Sequence, residues 1–202
     1  CRQRRRQLFQ RGGGVTGPSL PLANRVAVVT GGSRGIGRAI ARDLAGAGAR
    51  VAVCYRQREA EAQALVAELG GTPRAFAMRC DVSQEADVDA FMAQVTSLLG
   101  PIDVLVNNAG IARDGVLMFM DNARWNDVMA TNLGGPFLCT RAVVRGMMVR
   151  RWGRIVNVAS ASADAALPGQ ANYAASKAGL AGLTRALARE LGVSVDELLG
   201  VT

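Results

Sequence analysis

The chain has 202 residues, 50% of them hydrophobic, a composition that fits one globular domain and excludes a largely disordered protein. Its net charge of +8 comes mainly from the first 25 residues, which hold six arginines and no acidic residue, whereas the rest has 18 basic and 16 acidic side chains. The body of the protein therefore lacks the charge excess expected for nucleic-acid binding, and no uncharged stretch reaches the ~18 residues typical of a membrane-spanning helix.

Residues 1–24 are predicted to form a disordered basic tail, because they are rich in glycine and arginine and contain no acidic side chain. An arginine-rich leader without acids is also typical of a mitochondrial or plastid transit peptide. A segment translated upstream of the true start is the plainer alternative. Unless the tail is a transit peptide, we expect a cytoplasmic protein.

From Arg25 onward, short apolar runs rich in β-branched residues alternate with amphipathic stretches. The predicted strands span residues 25–30, 50–55, 74–79, 102–107 and 153–160. The predicted helices span residues 35–47, 57–69, 84–99, 121–151 and 173–191. Nearly continuous valine and isoleucine indicates strands covered on both faces, and the alternation indicates right-handed βαβ crossovers. The predicted fold is an α/β, Rossmann-like, doubly wound parallel sheet over residues 25–191.

The first predicted strand leads directly into the glycine-rich sequence TGGSRGIG, residues 30–37. Glycines at 31, 35 and 37 allow a tight turn and a close approach of the backbone to a pyrophosphate, whose charge the free N–H groups of a helix start can bind. A plain strand-to-helix turn is the structural alternative. The position after the first strand of a βαβ unit favours a dinucleotide site.

The second predicted strand ends at Cys54, Tyr55 and Arg56, where a site for a free ribose 2′-hydroxyl usually has an acidic residue. Arg56, and Arg34 inside the glycine turn, suit a ribose 2′-phosphate because a guanidinium can pair bidentately with phosphate. The sequence therefore predicts NADP(H) and not NAD(H). The alternative is that both arginines are solvated surface residues.

Polar or small residues also follow the third and fourth predicted strands. Asp81 can accept a hydrogen bond from an adenine amino group, and the NNAG sequence at 107–110 is small where the backbone must pass close to a ligand. Each is also compatible with an ordinary turn. The four cysteines form no C-x-x-C pair and the chain has no histidine, so no metal site is predicted and the cysteines are expected to be reduced and buried.

These motifs, together with Asn132, Ser160 and YAASK at 173–177, resemble in their order the short-chain dehydrogenase/reductases, over roughly residues 25–190. Within that family, GQANYAASKAGL (169–180) is most similar to the 3-oxoacyl-acyl-carrier-protein reductases of fatty acid synthesis. The resemblance implies NADPH-dependent reduction of a 3-oxoacyl thioester, carried by acyl carrier protein, to the 3-hydroxyacyl form. It also implies a homo-oligomer, a tetramer in this family.

The resemblance further implies a set of site residues. The implied catalytic tetrad is Asn132, Ser160, Tyr173 and Lys177. The implied cofactor contacts are Gly31, Ser33, Arg34, Gly35, Ile36, Gly37, Arg56, Asp81, Val82, Asn108, Ala109, Gly110, Tyr173 and Lys177.

Lys177 is the only lysine of the chain. Ketone reduction needs a hydride at the carbonyl carbon and a proton at its oxygen, and a free phenol loses its proton only near pH ~10. Lys177 follows Tyr173 by four residues, a spacing that places both side chains on one helix face about 5–6 Å apart. At about 5 Å and an effective dielectric constant of about 20, an ammonium favours the phenolate by about 3 kcal/mol.

Ser160 ends the fifth predicted strand, where its hydroxyl can hold and polarise a substrate carbonyl. Ser162 is a nearby competitor, and its spacing from Tyr173 makes it the weaker candidate. For Asn132 the resemblance implies a helix kink and a water that relays protons to Lys177; a buried structural amide is the alternative.

The family pattern continues with a sixth strand, a substrate-covering loop and a final strand, which residues 192–202 do not resemble. We therefore expect a sheet truncated at the C-terminus, and a tetramer only if that terminus were complete. Arg150, Arg151 and Arg154 are expected near the mouth of the site, where they would attract an acidic carrier protein, whereas Ser194 stands at a further basic position of the family. Solvation of these arginines at a helix end is the alternative.

Two other functions remain open at this point. One is reduction of a different carbonyl, such as a polyketide, quinone or steroid. The other is a truncated, non-catalytic chain that only binds a cofactor or partner.

Overall fold

The computed structural model describes residues 20–165, 167–193 and 195. Within these residues five strands form one sheet: β1 (Val26–Thr30), β2 (Arg50–Tyr55), β3 (Ala75–Arg79), β4 (Val104–Asn107) and β5 (Arg154–Asn157). Every pairing is parallel, and the strand order is β3-β2-β1-β4-β5. The predicted α/β, doubly wound parallel sheet is confirmed. The order reverses between β1 and β4, the place where such sheets bind ligands.

Six α-helices are described in the same ranges: α1 (Gly35–Gly46), α2 (Glu59–Glu68), α3 (Glu85–Leu99), α4 (Asn122–Met129), α5 (Gly135–Arg150) and α6 (Ala171–Leu191). The helix predicted over 121–151 is interrupted by a π-helical turn, Ala130–Gly134, between α4 and α5. Pro136 explains this turn, because proline has no N–H to donate to the carbonyl of Asn132 one helical turn earlier. The strand predicted over 153–160 ends at Asn157, and the next three residues leave the sheet.

The sheet is buried on both faces, as its valine-rich runs predict. Val26 and Val28 lie in one apolar cluster with Phe91 of α3, whereas Val29 lies in the opposite cluster with Leu65 of α2. All five side chains are fully buried. None of the helices in the described ranges combines the length and hydropathy needed to cross a bilayer.

Residues 20–24, assigned to the basic tail from sequence, form a turn against the end of α1. Leu22 donates its N–H to the carbonyl of Ala47 at 2.9 Å and packs against the core. Residues 1–19 of the predicted tail, and residues 194 and 196–202 of the predicted C-terminal tail, lie outside the described residues. The three described cysteines, Cys54, Cys80 and Cys139, are free and buried, as predicted.

Candidate functional site

A cleft of about 500 Å³ lies at the carboxyl ends of β1, β2 and β4. Twelve of the residues that the resemblance implies as cofactor contacts line it together. They are Gly31, Ser33, Arg34, Gly35, Ile36, Gly37, Arg56, Asp81, Val82, Asn108, Ala109 and Gly110. The free N–H groups at the start of α1 lie at this edge of the sheet, where they suit an anionic group.

The glycine-rich turn is closed by contacts that leave no room for larger side chains. Asn108 Nδ2 donates to the carbonyls of Thr30 at 2.9 Å and Gly31 at 3.2 Å. A Cβ at Gly37 would lie 2.4 Å from that nitrogen and 2.5 Å from the Gly31 carbonyl oxygen, far inside van der Waals contact. Gly31 has a φ of +66°, in the left-handed region that glycine tolerates best. The turn therefore has the narrow, backbone-lined form that a dinucleotide pyrophosphate requires.

Three arginines line the cleft, one more than the sequence predicts: Arg34 in the glycine turn, and Arg56 and Arg58 after β2. Arg56 lies 3.7 Å from a carboxylate oxygen of Asp81, and Arg58 bonds Glu61 at 2.9 Å. Within the described ranges, Arg34 has no carboxylate within 4.0 Å. Arg34 is therefore the one of the three that makes no ion pair in the described ranges, although its charge helps to lower the pKa of Glu61.

Several lining residues were missed from sequence. They are Cys54, Tyr55, Gln57, Arg58, Cys80, Ile111 and Thr131. The first five follow or end β2 and β3, so the rule that ligand contacts follow strand ends could have found them. A hydrogen bond that the Cys80 thiol donates to Cys54, together with burial, raises the pKa of Cys80 well above its ordinary value, which keeps that thiol protonated within the cleft.

Tyr173 and Lys177 lie on α6, with the Lys177 ammonium nitrogen 5.8 Å from the centre of the Tyr173 ring. Lys177 is 5% exposed and donates to the Val158 carbonyl at 2.6 Å. Burial lowers the pKa of Lys177. Val158 in turn donates its N–H to the carbonyl of Asn107, at the end of β4. The two side chains therefore face each other beside the carboxyl ends of β4 and β5.

The two candidate serines differ in their hydrogen bonds. Ser160 Oγ accepts from the Ser162 N–H at 3.2 Å, at the start of a short 3-10 turn. The Ser162 hydroxyl donates to Gln170 Oε1 at 3.2 Å. Since the Ser162 hydroxyl proton is already used, Ser160 has the hydroxyl better suited to donate to a substrate oxygen.

Asn132 is fully buried in the π-helical turn, and its amide is bound by other parts of the protein. Its Oδ1 accepts from Ile111 N–H at 2.8 Å, while Nδ2 donates to the Ile111 carbonyl at 2.9 Å and to Ser176 Oγ at 3.2 Å. The Ser176 hydroxyl donates to the Tyr173 carbonyl at 2.7 Å. The structure thus links the Asn132 side chain to the cleft through Ile111 and to α6 through Ser176.

Asn132, Ser160, Tyr173 and Lys177 are not among the described residues that line the cleft. They adjoin it, since Ile111 lines the cleft and is bound by Asn132, and Lys177 is bound to the residue that follows β5. The tetrad therefore lies beside one end of the cleft.

The arginines expected at the mouth of the site lie elsewhere. Arg154 begins β5, and Arg150 donates to the carbonyl of Ile102 and lies 3.9 Å from Asp103, just before β4. These positions are at the amino-terminal edge of the sheet, opposite the cleft. The prediction that Arg150, Arg151 and Arg154 lie near the mouth of the site is therefore wrong within a single chain.

Residues 25–196 match the family model described as short chain dehydrogenase. The chain is 46% identical over 180 residues to a Vibrio cholerae protein named 3-oxoacyl-acyl-carrier-protein reductase FabG, a match that covers 88% of this chain and 72% of that protein. Proteins with the same name are 45% identical in Staphylococcus epidermidis, over 86% of this chain and 72% of theirs, and 43% identical in Escherichia coli, over 88% and 72%.

Proposed function

Because the chain belongs to the short-chain dehydrogenase family, and is an oxidoreductase with a nicotinamide cofactor, we propose that it reduces 3-oxoacyl thioesters of acyl carrier protein with NADPH. The likeness, at 43–46% identity, to three proteins named 3-oxoacyl-acyl-carrier-protein reductase carries this proposal. In it, Tyr173 donates the proton to the substrate oxygen, Lys177 stabilises the phenolate, Ser160 holds the carbonyl and Asn132 supports the site. The cofactor, when bound, supplies the hydride.

The residues of the cleft fit a dinucleotide. The tight turn at Gly31 and Gly37 and the N-terminus of α1 suit the pyrophosphate, and Asp81 suits the adenine. Arg34, Arg56 and Arg58 suit a ribose 2′-phosphate, because they outnumber the acidic residues of the cleft. Among the described residues that line it, Asp81 is the only acidic one, and Arg56 lies 3.7 Å from its carboxylate.

An exposed apolar segment supports an acyl substrate. Val116, Leu117, Met118 and Phe119 are each at least 59% exposed, which is uncommon for four consecutive large apolar residues. Gly115, directly before these residues, donates its N–H to the Gly169 carbonyl at 2.8 Å, which connects the loop to the segment before α6. We propose that the acyl chain runs along this segment.

The first test is an assay of NADPH consumption with acetoacetyl and 3-oxooctanoyl thioesters, each on acyl carrier protein and on a small thiol. Turnover of both acyl chains is expected, with kcat/KM about tenfold higher for the longer chain, because a fully buried methylene is worth about 0.8 kcal/mol and this segment covers one side only. Turnover of a quinone or steroid without turnover of any 3-oxoacyl thioester would contradict the proposal.

The second test concerns Arg34. An Arg34→Ala variant is expected to lose about 10- to 100-fold in kcat/KM with NADPH, since a hydrogen bond to a charged group is worth about 1.5–3 kcal/mol. With NADH the variant should differ little from the parent. Arg42→Ala is the matched control, because Arg42 lies on α1, the helix that begins directly after Arg34, but pairs with Glu68. Equal losses with both cofactors, or a parent that uses NADH as well as NADPH, would refute the role of Arg34.

We also propose a homo-oligomer. Phe137, Met148 and Val149 on α5 are between 46% and 80% exposed, and apolar side chains of this size are typical of helices that pack against another subunit.

A further inference from the structure

Asn172, directly before Tyr173, is fully buried and joins three segments of the chain. Its Nδ2 donates to the Arg113 carbonyl at 3.0 Å and to the Arg124 carbonyl at 3.5 Å. Its Oδ1 accepts from the Tyr173 N–H at 2.8 Å. The loop after β4, helix α4 and the first turn of α6 are therefore held together at one amide.

The start of a helix needs such an acceptor. The first N–H groups of a helix have no partner within it, and Gln170, the N-cap residue of α6, makes no side-chain capping bond. Asn172 Oδ1 supplies the acceptor for the N–H of Tyr173 itself. The Tyr173 carbonyl is bound as well, by the Ser176 hydroxyl at 2.7 Å. Side chains thus bind both polar backbone atoms of Tyr173, its N–H and its carbonyl oxygen.

This backbone position sets the separation between Tyr173 and Lys177. The Lys177 ammonium is held by the Val158 carbonyl, which lies outside α6. The lysine is therefore tied to the sheet, and the phenol meets it only if the Tyr173 backbone stays in place. A shift of the first turn of α6 would change the 5.8 Å separation while the cleft at α1 stayed intact.

From these contacts we infer that Asn172 is a positioning residue, which holds the Tyr173 phenol in place for proton transfer. The inference rests on the proposed function, because it takes Tyr173 as the proton donor. It assigns Asn172 no contact with substrate or cofactor. A residue that only stabilised the fold would affect the free energy of unfolding without a selective effect on kcat.

The main test compares Asn172→Ala with Thr184→Val. Thr184 is also buried on α6 and bonds Asn157 at 2.8 Å, but it lies about three turns further along the helix. We expect Asn172→Ala to lower kcat about 10- to 100-fold, with the Kd for NADPH within about twofold of the parent, and Thr184→Val to leave kcat within about twofold. A folded Asn172→Ala protein with parental kcat, or an equal loss of kcat in Thr184→Val, would overturn the inference.

Asn172→Asp provides a second variant of the same shape. The ionised carboxylate keeps the acceptor for Tyr173 but loses both donated bonds, whereas the protonated carboxyl regains a donor. Its kcat relative to the parent should therefore rise as the pH falls and the carboxyl takes up its proton. If Asn172→Ala does not fold, Asn172→Asp still tests the inference. A ratio of its kcat to the parental kcat that stays constant with pH would overturn it.

Amide hydrogen exchange at Tyr173 separates this inference from the proposed function. Exchange should be at least tenfold faster in Asn172→Ala than in the parent and unchanged in Thr184→Val. Equal protection of this amide in all three proteins would overturn the inference, even in a chain without turnover. Absence of turnover in the parent, with the exchange difference present, would instead count against the proposed function.

Discussion

Replacing Tyr173 by phenylalanine is expected to lower turnover by about 10²–10⁴-fold, the usual contribution of general acid catalysis. The change removes one oxygen atom and keeps the ring, so the packing of α6 and the 5.8 Å approach of Lys177 to the ring should persist. The Kd for NADPH should stay within about twofold, because Tyr173 does not line the cleft formed by the glycine turn and the arginines. The measurements are kcat with a 3-oxoacyl thioester and NADPH binding by fluorescence.

Tyr55→Phe is the control, because the chain has only two tyrosines and Tyr55 lines the cleft. Burial and the nearby Glu59 carboxylate raise the pKa of Tyr55, so this phenol is a weaker acid than usual. Tyr55→Phe should retain kcat. A Tyr173→Phe protein that keeps more than a few per cent of parental turnover would show that the proton comes from elsewhere.

The sequence was sufficient for the fold because each element has a strong local pattern. Valine-rich runs define buried parallel strands, and the glycines at 31, 35 and 37 follow the first of them, so the position of the cleft could be predicted from the pattern, whereas the full set of its contacts was implied by the family resemblance. The π-helical turn at Asn132 was harder to predict from the sequence. Its cause is the missing N–H of Pro136, whose effect depends on the register of hydrogen bonds in the helix.

The prediction for Arg150, Arg151 and Arg154 failed because it ignored the direction in which α5 runs relative to the sheet. A helix that connects two parallel strands runs back across the sheet, so the end of α5 must lie where β5 begins. Arg150 and Arg154 are close to Ser160 in sequence, yet the whole length of β5 separates them. The contacts of Asn172 with Arg113 and Arg124 were not predictable at all, because they join segments 59 and 48 residues apart.

Replacing Lys177 by methionine is expected to lower turnover by about 10²-fold. The Lys177 nitrogen lies 5.8 Å from the centre of the Tyr173 ring. A charge pair at about 5–6 Å, at an effective dielectric constant of about 20, is worth about 3 kcal/mol, and each tenfold in rate corresponds to about 1.4 kcal/mol. Methionine keeps an unbranched apolar stem in a site that is only 5% exposed. Turnover above a tenth of the parental value would contradict the electrostatic role of the ammonium. Arg185→Met, on the exposed face of α6, is the matched loss of a positive charge.

The pH dependence gives Lys177 a second, independent test. Burial lowers its pKa in the folded protein, so the ammonium is lost at a pH below that at which a free lysine deprotonates, and activity should fall in that range. The unfolded chain then binds more protons than the folded one between the lowered value and the usual pKa of about 10.4, so the free energy of unfolding should rise with pH there. Urea unfolding of the parent and of Lys177→Met across this range measures the difference. Parallel curves would show that burial does not lower the pKa of Lys177, and a fall in activity over this pH range would then come from another group.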